Sequence, residues 1–192
     1  MSKRTATDAI KGYFYQFDYS IKTLLELKND SDYAVIEGIE DIDKSDSSSK
    51  KSAIQCKYYE KSEYNHSVIK NAIQYMLTHY SKVMDNESNK INYLLYGHFK
   101  KGTEKLPEEI DLDFLKEKFL RYVKNEKVKY HHIELKLCDK ELDDFLKFLK
   151  IDINAESYKS QILNVYKLIK GEFDCEEFEA ENFFYNNSLR VI

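Results

Sequence analysis

Tyr33–Tyr59 reads YAVIEGIEDIDKSDSSSKKSAIQCKYY, and this stretch decides how the rest of the chain is read. Ala34, Val35 and Ile36 form a short apolar run, which Ile39 and Ile42 carry across the acids. Ala53, Ile54 and Cys56 resume it after a Ser/Lys/Asp loop. The spacing predicts a pair of strands joined by a solvated loop. Side chains alternate along a strand, so Gln55 and Lys57 share one face of the second segment, while Ile54, Cys56 and Tyr58 line the other. On the first segment Glu37, Glu40, Asp41 and Asp43 fall within seven residues. Carboxylates this close repel one another unless water or a cation lies among them.

That crowding points to a hard divalent ion. Mg²⁺ takes a few carboxylate or carbonyl oxygens and keeps several waters. Asp41 and the Gln55 amide oxygen would supply such a partial cage, with Lys57 beside it to polarise a water or steady a phosphate oxygen. On the residues alone, an ordinary solvated strand pair fits equally well, because exposed charges are common.

Glu40-Asp41, a variable loop and then Gln55-Cys56-Lys57 resembles the PD-(D/E)xK nuclease superfamily. Here Gln55 replaces the first residue of the (D/E)xK triplet, and Glu40 stands where the superfamily name has proline. Gly12-Tyr13-Phe14-Tyr15-Gln16, Ile36-Glu37-Gly38-Ile39-Glu40-Asp41 and Tyr93-Leu94-Leu95-Tyr96-Gly97-His98-Phe99 are similar to the N-terminal effector-nuclease domain of bacterial anti-phage proteins, CBASS endonucleases among them. The resemblance covers most of the chain. It implies a metal-dependent DNA endonuclease effector of bacterial anti-phage defence, using Mg²⁺ or Mn²⁺ on double-stranded DNA. Activation would come from a partner (an NTPase or sensor module) or from homo-oligomerisation. By resemblance Asp41 holds the metal and Gln55 supports it, with the Cys56 backbone carbonyl as a further ligand. Lys57 serves water or phosphate, Glu37 and Glu40 are supporting ligands, and Gln16 points toward the site. The alternative is a catalytically inactive DNA- or partner-binding module, or a structural subunit of a defence complex.

The implied fold is α/β: a restriction-endonuclease-like core, a central mixed sheet flanked by helices, with a C-terminal helical extension. The core takes residues 1–105 with the Asp/QxK site. A mainly helical extension takes 106–192 and packs on it as one compact domain, either cut from a longer chain or standing alone. At 192 residues the chain is long enough for one proper core.

A net charge of −4 argues against a protein that coats nucleic acid non-specifically. The charge is uneven, with six basic residues between Lys116 and Lys129 and a dense acidic run from Glu172 to Glu181. Cys56, Cys138 and Cys175 are odd in number and widely spaced, which reads as reduced thiols. No apolar run approaches the roughly 20 residues that span a bilayer, and the expectation is a cytoplasmic protein.

Helical spacing gives a first helix, capped by Thr7 or Asp8, with a buried stripe of Ile10, Phe14, Phe17, Ile21, Leu24 and Leu25. Periodicity alone leaves Gln16 on its surface. A second helix begins at Asn65 or Ser67 and carries Val68, Ile69, Ala72, Ile73, Met76, Leu77 and Tyr80 on one face, and Ile91–Phe99 follows as a strand. Three further stripes read as helices: Leu112, Leu115, Phe119 and Val123; Leu142, Phe145, Leu146 and Leu149, with Asp139 as N-cap; and Tyr158, Ile162, Val165 and Ile169. His131–Leu137 reads as a further strand. His66, His79 and His98 titrate near neutrality, though single histidines at helix starts and strand ends more often serve structure.

Overall fold

The acids at 37–41 break the first apolar segment into two strands. Glu37 takes a positive φ of 57° and its N–H donates to Asp41 O at 3.0 Å, so the chain reverses between Ile36 and Ile42. The computed structural model describes residues 6–46 and 51–191. It runs α1 (Ala6–Glu26), β1 (Tyr33–Ile36), β2 (Ile42–Ser45), β3 (Lys51–Glu63), α2 (His66–Val83) and β4 (Asn92–Lys101). Ser47–Lys50, the middle of the expected polar loop, lie outside the described residues.

β1, β2 and β3 pair antiparallel, whereas β3 and β4 are parallel, with α2 making the crossover that parallel neighbours require. The expected alternation along β3 is seen. Ile54, Cys56 and Tyr58 join Tyr15 and Ile42 in one apolar cluster, while Ala53 on the other face meets α2. α2 buries the face its periodicity gives from Ile69 to Tyr80, with Val68 only half-buried at its start, and Asn65 caps it by accepting from Ser67 N.

α1 departs from its expected stripe. Ile10, Phe14 and Leu24 are exposed, and Tyr15, Gln16, Asp18, Ser20 and Thr23 are buried beside Ile21. Tyrosine explains the rotation: the Tyr15 ring stacks on Tyr58 at 4.7 Å, and its hydroxyl donates to Glu156 O at 2.7 Å. An aromatic ring with a satisfied polar tip outweighs an aliphatic side chain here. The helix already includes Thr7 and Asp8, so neither caps it.

The second half is less helical than expected. Leu115–Leu120 closes a short helical run as a π-helix, and Val123 falls instead on a hairpin of β5 (Arg121–Lys124) and β6 (Lys127–Tyr130). Asn125 and Glu126 both take positive φ, as a two-residue hairpin turn requires. His131–Glu134 is a helical turn, not a strand. Cys138, not Asp139, caps the Asp139–Phe148 helix, with its N–H donating to Glu141 Oε2 at 2.7 Å. Leu149 then opens β7 (Leu149–Asp152), which pairs parallel to β4, so the C-terminal half contributes the fifth strand of the sheet. The Tyr158–Phe173 helix buries Val165 and Ile169 against α1 and the C-terminal segment. Among the described residues no helix is long and apolar enough to cross a membrane.

Candidate active site

The turn between β1 and β2 is stitched by its own side chains. The Asp43 carboxylate accepts from Ile39 N at 2.5 Å and Glu40 N at 3.3 Å. Gly38 makes room for it, since a Cβ there would stand 2.2 Å from Asp43 Oδ2. Asp43 is therefore committed to backbone, and the turn it holds delivers Asp41 to β3.

β2 pairs with β3 only from Lys51 to Ile54. Beyond that point a carboxylate replaces the missing strand: Asp41 Oδ2 accepts from Cys56 N at 2.8 Å and from Gln55 Nε2. The Gln55 amide nitrogen faces Asp41, and its oxygen takes no hydrogen bond among the described residues. Lys57, on the same face as Gln55, is half-buried and makes no ion pair among the described residues, yet lies close enough to act on both Asp41 and Glu40.

Burial raises the Asp41 pKa from its ordinary value. It wins over the Cys56 N–H, the Lys57 charge and the Gln55 amide, all of which favour the ionised form. Glu40 is buried more completely, and burial together with Asp41 and Asp43 pushes its pKa up to about 8 against the pull of Lys57. No hydrogen bond reaches Glu40 Oε1 among the described residues.

α1 reaches the same turn. Gln16, only 7% exposed, donates from Nε2 to Glu37 Oε1 at 2.9 Å, so it lies at the site and not on the outer surface. Two clefts meet here. One of about 500 Å³ on the α2 side is lined by Glu40, Gln55 and Tyr75, and one of about 310 Å³ on the α1 side by Tyr13, Gln16 and Cys56. Glu37, Asp41 and Lys57 line both.

All seven candidate residues, Gln16, Glu37, Glu40, Asp41, Gln55, Cys56 and Lys57, thus converge on one place. Tyr13 and Tyr75, 62% and 56% exposed at the two mouths, are not among the candidates: Tyr13 stands in the Gly12–Gln16 stretch without a role of its own, and nothing distinguishes Tyr75 in a chain of 16 tyrosines. The histidines stand apart. His98 Nδ1 donates to Ala155 O at 2.8 Å, His79 shares a hydrogen bond with Tyr93, and His66 shares one with Tyr64. Each is tied to the core, and none lines either cleft.

The donor set suits a cation that keeps much of its water. Among the described residues no three His, Cys, Asp or Glu side chains are grouped to hold a metal. Glu40 with its orphaned oxygen, Asp41 and Gln55 line one cleft with oxygen donors and no His or thiolate, the chemistry Mg²⁺ prefers. No family model, no curated protein and no solved structure matches this chain.

Proposed function

We propose that this chain is a metal-dependent endodeoxyribonuclease with a restriction-endonuclease-like core of the PD-(D/E)xK kind, cutting double-stranded DNA in the bacterial cytoplasm as an effector of anti-phage defence. The observation that carries the reading is the Asp41 carboxylate held by Gln55 and the Cys56 N–H where β2 leaves β3, with Lys57 next on that face. The α-β-β-β-α-β order around it, with β3 and β4 parallel, supports the same reading. The assignment to DNA and to defence rests on the sequence resemblance.

Asp41 and Glu40 would hold Mg²⁺ or Mn²⁺, with the Gln55 oxygen and the Cys56 carbonyl beside them. When bound, the ion would polarise the phosphate and lower the pKa of a water. Gln55 and the Cys56 N–H fix the orientation of Asp41. Lys57 offers three N–H donors to a phosphate oxygen or to the attacking water, and its charge would stabilise the negative charge that builds up in the transition state. Glu37, tethered by Gln16, is a supporting carboxylate at the mouth.

The test is purified protein with supercoiled plasmid and Mg²⁺ or Mn²⁺, beside Lys57→Ala and Asp41→Asn checked for folding by circular dichroism. Nicking by the wild type that EDTA and both substitutions abolish is the expected result. Unchanged cleavage in both variants overturns the site. A wild type that binds DNA in every assembly state and never cuts it moves the binding-module reading ahead.

A further inference from the structure

The uneven charge noted in the sequence folds into two separate surfaces that the candidate site does not use. One is the β5–β6 hairpin, which packs on the helical run at 112–120 and on the turn His131–Glu134. Val123 and Val128 are a directly opposed cross-strand pair, so they share one face, and they are 66% and 49% exposed. Lys124 and Lys127 flank the turn of the hairpin, are exposed, and make no ion pair among the described residues. A two-stranded ribbon is marginal in water without packing; this one packs by one side only, and its opposed Val123–Val128 pair is left open.

The other surface is an apolar groove of about 450 Å³ between α1, the Tyr158–Phe173 helix and the C-terminal segment, walled by Leu24, Leu25, Ile169, Phe173, Phe183 and Phe184. Phe173 and Phe183 are about half exposed at its mouth. The adjoining segment carries Glu172, Asp174, Glu176, Glu177, Glu179 and Glu181, all exposed and none in an ion pair among the described residues. Each surface has an apolar patch with charge on the adjoining chain, and the net charges are opposite in sign: Glu126 in the hairpin turn is the one acid among Arg121, Lys124, Lys127 and Lys129.

We propose that these are the two halves of one self-interface: the hairpin of one copy seats its Val123–Val128 face in the groove of a second copy, with Lys124 and Lys127 against the acidic rim. A copy with net charge −4 repels another at long range, so contact depends on this local complementarity. The interface is heterologous. Each copy keeps a free hairpin and a free groove, so assembly propagates until it closes into a ring or grows as a chain. None of the groove or hairpin residues lines the clefts around Asp41, so association and the candidate active site are separable by mutation, and the proposal stands whether or not the chain is a nuclease.

The experiment is sedimentation velocity on the full chain over a concentration series at low and high salt. Wild-type mass should rise with concentration and fall back as salt screens the charges. Val128→Asp and Phe183→Asp should each weaken association by about tenfold or more. Mixed in equal amounts, the two variants should give a 1:1 dimer and nothing larger, because one supplies an intact groove, the other an intact hairpin, and the damaged surfaces cap both ends. If either variant misfolds, Lys124→Glu with Lys127→Glu and Glu177→Lys with Glu181→Lys serve instead. These change only exposed side chains; each pair alone should stay monomeric and the mixture should reassemble. A wild type that is monomeric throughout, an assembly that survives both substitutions, or a mixture that stays monomeric overturns the proposal.

Discussion

Asp18 on α1 and Glu40 in the β1–β2 turn are both buried carboxylates with one oxygen that no hydrogen bond reaches among the described residues. Burial is the first cause that raises both, Asp18 to about 6 and Glu40 to about 8. Their surroundings differ. Asp18 accepts from the Tyr185 hydroxyl at 2.6 Å in a seam between helices, and that single neutral donor offsets part of the burial. Glu40 has two further carboxylates and a lysine around it, on the wall of a cleft. One buried acid braces a helix against the C-terminal segment; the other belongs to a charge cluster open to solvent and to ligands. A raised pKa marks burial, and only the company of the group separates anchor from site.

Cleavage should separate the two regions most widely. Asp41→Asn keeps the size and loses the charge, and it should lower metal-dependent plasmid cleavage by about 10²–10³-fold. Asp18→Asn, which lines neither cleft, should leave the rate within a few-fold. Equal losses in the two variants would mean that stability, not chemistry, sets the rate.

The next effect is on stability against pH. An acid raised in the folded state contributes its full share while both states are protonated and loses it as pH climbs to the folded value. For Asp18 the loss runs from 3.8 to about 6, and for Glu40 from 4.5 to about 8. Each amounts to on the order of a few kcal/mol. In melting curves, the gain in Tm from Asp18→Asn should therefore be complete by pH 6, whereas the gain from Glu40→Gln should keep growing to about pH 8. Mg²⁺ added at the upper end should raise the wild-type Tm and leave Glu40→Gln with Asp41→Asn unmoved, since a cation takes over what the proton supplied.

Gly38→Ala acts on the turn and not on its charges. A Cβ 2.2 Å from Asp43 Oδ2 must push away a carboxylate that holds two backbone N–H groups, which should cost about 1–3 kcal/mol in chemical denaturation. Cleavage should fall with it, because the same turn carries Asp41.

Much of this was legible in the sequence, for identifiable reasons. The faces of β3 and α2 followed from periods of two and 3.6 because large apolar residues fill one side of each. α1 failed that test because its buried face is made of tyrosines, Gln16 and Asp18, whose burial depends on partners as distant as Glu156 and Tyr185. Asp41, Gln55 and Lys57 meet as their spacing predicts, whereas periodicity put Gln16 on the surface and only the Glu37 bond draws it to the site, and the roles of two acids do not show in sequence. Asp43 looks like its neighbour Asp41, and only the fold reveals that backbone N–H groups occupy it. β7 stayed hidden because Leu149–Asp152 continues the apolar rhythm of the helix before it, and four residues are too few to announce a change of period.

Gln16 should give the smallest effect, and a discriminating one. Its amide is the link by which α1 meets the β1–β2 turn, through a single 2.9 Å bond to Glu37 Oε1. Glu37 is exposed, so in Gln16→Ala water can take the place of the amide, and the loss should be about 1 kcal/mol in stability with a few-fold drop in cleavage. Gln16→Glu is the harsher change, because it sets a second carboxylate against Glu37 where a donor had been. If Gln16→Ala were as inactive as Asp41→Asn, Gln16 would have to touch the reacting groups themselves. If Gln16→Glu were as active as the wild type, Glu37 would have no part in the site, and the carboxylates that matter would narrow to Glu40 and Asp41.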